Sequence, residues 1–99
     1  MNQMKFEWDN NKAITNLKKH SVSFEEATTV FEDINAILFN DPDHSDEEER
    51  FILLGMSVEA NMLIVCHCVR EEESVIRIIS ARKATKLETE QYTEIVRGW

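Results

Sequence analysis

The 99-residue sequence predicts an α+β fold, an antiparallel sheet framed by helices near both ends. Three observations predict it. Three β-rich runs, at residues 49–56, 61–70 and 74–82, are separated by short polar connections, the pattern of an antiparallel meander. Two stretches before them and one after begin with helix-capping residues and continue with apolar side chains on one face. With 2 Gly, 1 Pro and 42% hydrophobic residues, the composition is that of a packed domain, not a linker or a disordered tract. A chain of this size supports one core, so residues 1–99 are expected to form a single domain.

Residues 4–8 alternate Met, Lys, Phe, Glu and Trp, a half-buried strand with Met4, Phe6 and Trp8 inward. Asp9 can N-cap a helix reaching about His20, in which Ala13, Ile14 and Leu17 make a narrow apolar stripe. Lys18, Lys19 and His20 suit its negative C-terminal end. Ser23 and Glu26 make a capping box for a second helix whose Phe24, Ala27, Val30 and Phe31 share a face, and the two helices form a hairpin. Residues 36–39 form a short strand, stopped by Asn40, Asp41, Pro42 and Asp43. An acidic loop leads into the meander. Thr85 and Glu88 make another capping box, opening a C-terminal helix to about Arg97 that carries Leu87, Tyr92, Ile95 and Val96. Helices on one sheet face leave the other face open.

The longest apolar runs, residues 51–54 and 62–66, fall far short of the roughly 20 residues that a spanning helix needs. The polar residues 1–8 lack the apolar core of a secretory signal, and a cytoplasmic location is expected. Cys66 and Cys68 point the same way along one strand at the limit of disulfide reach, so both are read as free thiols. Eleven Lys and Arg against 19 Asp and Glu give a net charge of −8, the wrong sign for a protein that coats nucleic acid. Residues 41–49 hold six of those acids and no Lys or Arg; without them the other ninety residues stand at −2. Arg50, Arg70, Arg77, Arg82, Lys83 and Lys86 could then form a basic patch if the fold gathers them.

Alternation sets Arg50 with Ile52 and Leu54, His67 with Leu63, Val65 and Val69, and Arg77 with Val75 and Ile79. Ser80 and Arg82 fall opposite Arg77, so the two arginines share a face only if a bulge intervenes. A cluster of Arg50, His67 and one later arginine would suit phosphate chemistry, since guanidinium binds phosphate bidentately and imidazole moves protons near neutral pH. The plainer alternative pairs Arg50 and Arg77 with Glu49 or Glu73 across strands and leaves His67 a hydrogen-bonded sheet residue. Asp41, Asp43, His44 and Glu48 are metal-ligand types without diagnostic spacing; a solvated loop is the simpler reading. His20 reads as a helix cap and Trp8 as a core anchor. No Gly-rich phosphate loop, GxSxG elbow or HExxH helix is present.

The strings FEWDNNKAITNLKKHSVSFEEATTVFED (6–33), DPDHSDEEERFILLG (41–55) and IRIISARKATKLETEQY (76–92) together resemble the BrnT family of toxins over nearly all of residues 5–92. That resemblance implies a RelE-like ribonuclease fold and an adjacent BrnA-type antitoxin that blocks the toxin, assembles with it as a heterotetramer and makes the DNA contacts that repress the operon. It implies metal-independent RNA cleavage on the open sheet face, with no cofactor. In such enzymes a base takes a ribose 2′-hydroxyl proton, the oxygen attacks the adjacent phosphate, and cations stabilise the developing charge. Carried onto matching positions, Arg50 and Arg82 bind phosphate, Arg77 supports them and His67 is a candidate acid or base. Lys12, Lys19 and Lys83 would guide RNA. The acidic Asp43, Glu47, Glu48 and Glu49 would face a basic antitoxin segment. Two alternatives stay open: a non-catalytic module that only binds its antitoxin and, more distantly, a metal-dependent hydrolase using Asp41, Asp43 and His44.

Overall fold

The computed structural model describes residues 4–41, 49–70 and 74–98. In chain order these form β1 (Lys5–Glu7), α1 (Asn10–His20), α2 (Phe24–Thr29), a 3-10 turn (Val30–Glu32), β2 (Ile37–Asn40), β3 (Arg50–Met56), β4 (Met62–Arg70), β5 (Val75–Lys83) and α3 (Lys86–Arg97). The element order is the one expected from sequence, with ends shifted by a residue or two. All five strands join one sheet in the order β1-β5-β4-β3-β2. β2 to β5 are mutually antiparallel, but β1 runs parallel to β5, pairing Lys5 with Val75 and Glu7 with Arg77. The sheet is therefore mixed, which corrects the antiparallel expectation. The partners of β1 lie 70 positions away, a pairing that no local pattern reports.

Asp9 caps α1 as expected, its Oδ1 accepting the Asn11 and Lys12 N–H groups at 2.8 and 3.1 Å. The inward side of α1 is different. Ile14 and Leu17 are exposed and Asn16 is buried. Asn16 Nδ2 donates to the carbonyls of Val22 and Ala81 at 3.0 and 2.8 Å, and its Oδ1 accepts the Ala81 N–H at 3.1 Å. β1 borders β5 only as far as Arg77, so Ala81 lies on a bare edge whose backbone groups Asn16 satisfies in place of a strand. In α2 the Ser23 hydroxyl accepts the Glu26 N–H at 3.0 Å, but only that half of the expected box forms. Glu26 instead accepts from Ser57 Oγ at 2.6 Å and Asn61 Nδ2 at 2.8 Å, fastening α2 to the β3–β4 turn.

The core lies between the sheet and the α1–α2 hairpin. Val22, Phe24, Ala27 and Val30 pack on Leu53, Leu63, Val65, Ile78 and Ala81. Phe6 and Trp8 join it edge-on, against Phe31 at 5.2 Å and Phe24 at 5.8 Å; Met4 is exposed. Gly55 is required at its site, since a Cβ there would come within 2.9 Å of the Ala36 and Val30 side chains.

Helix α3 has no buried residue. It reaches the other sheet face, where Glu88 holds Arg82, the neighbour of core residue Ala81 in strand alternation. Tyr92 Oη donates to Asp33 Oδ2 at 2.7 Å, and the same oxygen accepts the Met56 N–H at 2.8 Å. The expectation of all helices on one face is thus corrected; α3 lies over the second face at its Arg82 end, and at the Arg50 end Cys68 is fully buried. Among the described residues no helix is long and apolar enough to cross a membrane.

Candidate functional site

Register and alternation set side chains in rows across β3, β4 and β5. Arg50, Cys68 and Arg77 make one row, Ile52, Cys66 and Ser80 the next, and Leu54, Ile64 and Arg82 a third. All three rows lie opposite the α1–α2 core. Arg77 and Arg82 are separated by an odd number of positions, and plain alternation would send them to opposite faces. A bulge prevents this: Cys66 pairs with Ser80 but His67 with Ile78, leaving Ile79 as the extra residue. Arg50 and Arg77 stand two strands apart, about 10 Å between backbones, within which two guanidinium groups can reach one phosphate.

Arg50 is half-buried, and among the described residues its Nε is the buried side-chain nitrogen or oxygen that has no hydrogen-bond partner. An unsatisfied buried donor costs about 1–3 kcal/mol, a cost that a bound acceptor would relieve. Around Arg50 lie Asp41, Cys66 and Ser80. Asp41 donates its N–H to the Arg50 carbonyl at 2.9 Å, and its Oδ2 is 3.9 Å from Cys66 Sγ. Burial pushes the Cys66 thiol pKa up, with Asp41 adding to the rise and Arg50 and Ser80 opposing it. Cys66 is therefore a thiol at neutral pH, a weak donor and no ready nucleophile.

The other arginines are engaged within the chain. Arg77 donates to Glu7 Oε2 at 3.0 Å, and Arg70 Nε lies 3.8 Å from the same oxygen. The partner of Arg77 is thus on β1; Glu73 lies outside the described residues. Arg82 forms a two-pronged pair with Glu88, at 2.8 and 2.9 Å, and Glu88 also closes the expected capping box by accepting the Thr85 N–H. The guanidinium holds the Glu88 carboxyl down at about 2.

His67 does not join the arginines. It alternates with Leu63 and Val65, so it lies in the helix-covered face, 3% exposed. Its ring meets Phe31 edge-on at 4.8 Å and Phe51 at 6.0 Å, and Nδ1 is 3.3 Å from the Val65 carbonyl. Burial lowers its pKa and keeps it neutral. Lys12 and Lys19, with Asn11, Thr15 and His20, line a groove of about 320 Å³ between α1 and the free edge of β5, closed by Ile79 and Ser80. Ser80 thus belongs to both the groove and the arginine face. Lys83 is exposed at the end of β5 in register with Leu63, on core-face parity. Glu49 is exposed just before β3, while Asp43, His44, Glu47 and Glu48 lie outside the described residues. Among the described residues no three His, Cys, Asp or Glu side chains converge as metal ligands.

Residues 8–88 match the family model described as the ribonuclease toxin, BrnT, of type II toxin-antitoxin systems. The chain belongs to the BrnT family. Membership of a toxin-antitoxin family brings with it an antitoxin partner. The crystal structure of the Brucella abortus ribonuclease toxin BrnT superposes with a TM-score of 0.66 at 23% identity, covering 85% of this chain and all of that one, and shows that the two share a fold. No curated protein sequence matches the chain. Sequence reasoning weighed Asp41 only as a metal ligand and did not foresee its place beside Arg50 and Cys66, nor the groove that gathers Lys12 and Lys19 with Ser80. The consecutive Ile78 and Ile79, which break the alternation of β5, were the readable sign of the bulge.

Proposed function

We propose that this BrnT-family chain cleaves RNA endonucleolytically without a metal, arresting translation and growth until a BrnA-type antitoxin binds it. The observation that carries this reading is the donor-rich end of the second sheet face, where the Nε of Arg50 is buried without an acceptor and Arg77 shares its row. A phosphate diester seated there supplies the acceptor. A carboxylate in the same place, Asp41, takes the 2′-hydroxyl proton; the freed oxygen attacks phosphorus and displaces the 5′-oxygen, which takes a proton from solvent. Arg50 and Arg77 stabilise the charge that develops on the phosphate. His67 has no part in this step, since its ring is enclosed on the far face. Arg82 acts indirectly, through Glu88 and α3, and Lys12 and Lys19 carry the neighbouring phosphates along the groove that Ser80 joins to the site. Lys83 contributes long-range attraction only. The RNA path is local, so binding weakens steeply with salt.

The antitoxin reading extends to Asp43, Glu47, Glu48 and Glu49, whose charge would steer a basic partner, with the pair closing into a heterotetramer that touches DNA only through the antitoxin. A second reading has its own support: Arg77 and Arg82 are already matched by Glu7 and Glu88, as in a module that binds its antitoxin and catalyses nothing. Induced expression separates the two. The ribonuclease reading expects growth arrest and RNA breakage by the wild-type chain, resistant to chelator and abolished in folded Arg50→Ala. A folded wild-type chain that leaves growth and RNA untouched, with no antitoxin present, establishes the binding module.

A further inference from the structure

Charge divides this chain into two unequal parts. Residues 21–49 hold ten carboxylates and no Lys or Arg, whereas the other 70 residues carry 11 basic and nine acidic side chains. The arginine rows and the lysine groove belong to the second part. β2 lies in the first.

Among the described residues β2 is the last strand of the sheet on its side. The Asp41 N–H bonds to the Arg50 carbonyl, and the register continues in steps of two, so residues 37, 39 and 41 bond β3 while Leu38 and Asn40 turn their N–H and C=O groups outward. Leu38 and Phe39, on opposite faces of the strand, are 58% and 41% exposed, and Ile34 just before them is 96% exposed. Edge strands are ordinarily blunted with lysine, proline or a bulge, because a bare apolar edge recruits other strands. The sequence Ile-Leu-Phe-Asn of β2 has no such protection.

We infer that β2 is the antitoxin-docking edge: the partner adds a sixth strand, its backbone bonding Leu38 and Asn40. Its alternate apolar side chains cover Leu38 on one face and Phe39 on the other, and its Lys and Arg face the acidic part of this chain. A second copy of the chain is a poorer occupant, since edge-to-edge pairing would bring two wholly acidic segments together. The inference rests on the reading of the chain as the toxin of a toxin-antitoxin pair. Leu38, opposite Leu53, lies on the helix-covered face, away from the arginine rows that Phe39 borders beside Ile52, so substitution at Leu38 separates antitoxin binding from RNA cleavage.

The test titrates the antitoxin encoded beside the toxin gene against wild type, Leu38→Lys, Leu38→Met and Asn40→Pro, each checked for folding by circular dichroism. Leu38→Lys places a cation on the edge, and Asn40→Pro removes an outward N–H without touching the bonds to β3. Both are expected to raise the antitoxin Kd at least tenfold, and Leu38→Met to leave it within twofold. Leu38→Lys expressed alone should still arrest growth, and co-expressed antitoxin should no longer rescue it. Antitoxin affinity within twofold of wild type in both edge variants overturns the inference. So does a wild-type dimer that Leu38→Lys makes monomeric while antitoxin affinity stays unchanged, for the occupant is then a second copy. Failure of wild type to arrest growth refutes the ribonuclease reading and leaves the titration intact as the test of the edge.

Discussion

The two faces of the sheet are made by the same residues of β3, β4 and β5, taken alternately, yet they are held in different ways. Toward α1 and α2 the rows read Leu53, Val65 and Ala81, with Leu63 and Ile78 beside them, all nearly inaccessible to solvent. On the other face the rows contain Arg50, Arg77 and Arg82, and the helix that reaches it, α3, buries none of its residues and is tied by Arg82–Glu88 and Tyr92–Asp33. The first face is stabilised by area removed from water; the second buries Leu54, Ile64 and Cys68 among its arginines and adds charged hydrogen bonds, each of smaller net worth. That difference lets one face carry the fold and leaves the other free for chemistry.

Truncation should separate the faces most strongly. Leu63→Ala opens a cavity in the fully buried face and is expected to cost about 2–5 kcal/mol, read as a lower urea midpoint. Arg50→Ala is expected to reduce RNA cleavage by roughly 10² to 10³, about 2–4 kcal/mol of transition-state stabilisation, with the urea midpoint unchanged or slightly higher, since an unsatisfied buried donor disappears. Equal stability losses in the two variants would make Arg50 a structural residue and erase the distinction.

His67 sharpens the comparison from the buried side. His67→Phe should leave RNA cleavage within about twofold of wild type, because the ring is enclosed by Phe31, Phe51 and the strand. The pH response follows from its lowered pKa. The unfolded chain takes up the proton near pH 6.5 and the folded chain resists it, so the contribution of His67 is complete above that pH and is lost as the pH falls. Chemical denaturation between pH 5 and 7 should show this slope in wild type and a flatter one in His67→Phe. Abolished cleavage in a folded His67→Phe would show that the face assignment is wrong.

Which parts were legible in the sequence follows from the range of the interactions. Asp9, Thr85 and the three long strands were readable because caps and alternation act within a few residues. The parallel pairing of β1 was not, since its partners are 70 positions away. Asn16 was missed for a related reason: an asparagine in a helix looks solvent-facing until the bare edge at Ala81 is brought to it. Parity alone separated Arg50 from His67 only once the register was known, and the bulge reunited Arg77 with Arg82 through one extra isoleucine. The candidate site was thus legible as residue types and illegible as a face.

The smallest expected effect concerns the polar latch of α3. Arg82 holds the Glu88 carboxyl at about 2, below its ordinary 4.5, so the pair contributes stability that is present above pH 4.5 and lost as the pH falls toward 2. Both side chains remain partly open to solvent, so screening reduces the contribution to about 1 kcal/mol. Glu88→Gln removes the carboxylate but keeps an oxygen that can accept the Thr85 N–H, which isolates the ion pair from the helix cap. It should lower the midpoint at pH 7 by that amount, lower it less at pH 3, and raise hydrogen exchange in α3 ahead of the strands, because no buried residue holds the helix once the latch weakens. If the exchange of α3 stays as slow as that of β4 in this variant, apolar packing and not the latch secures the second face, and the two faces are held alike.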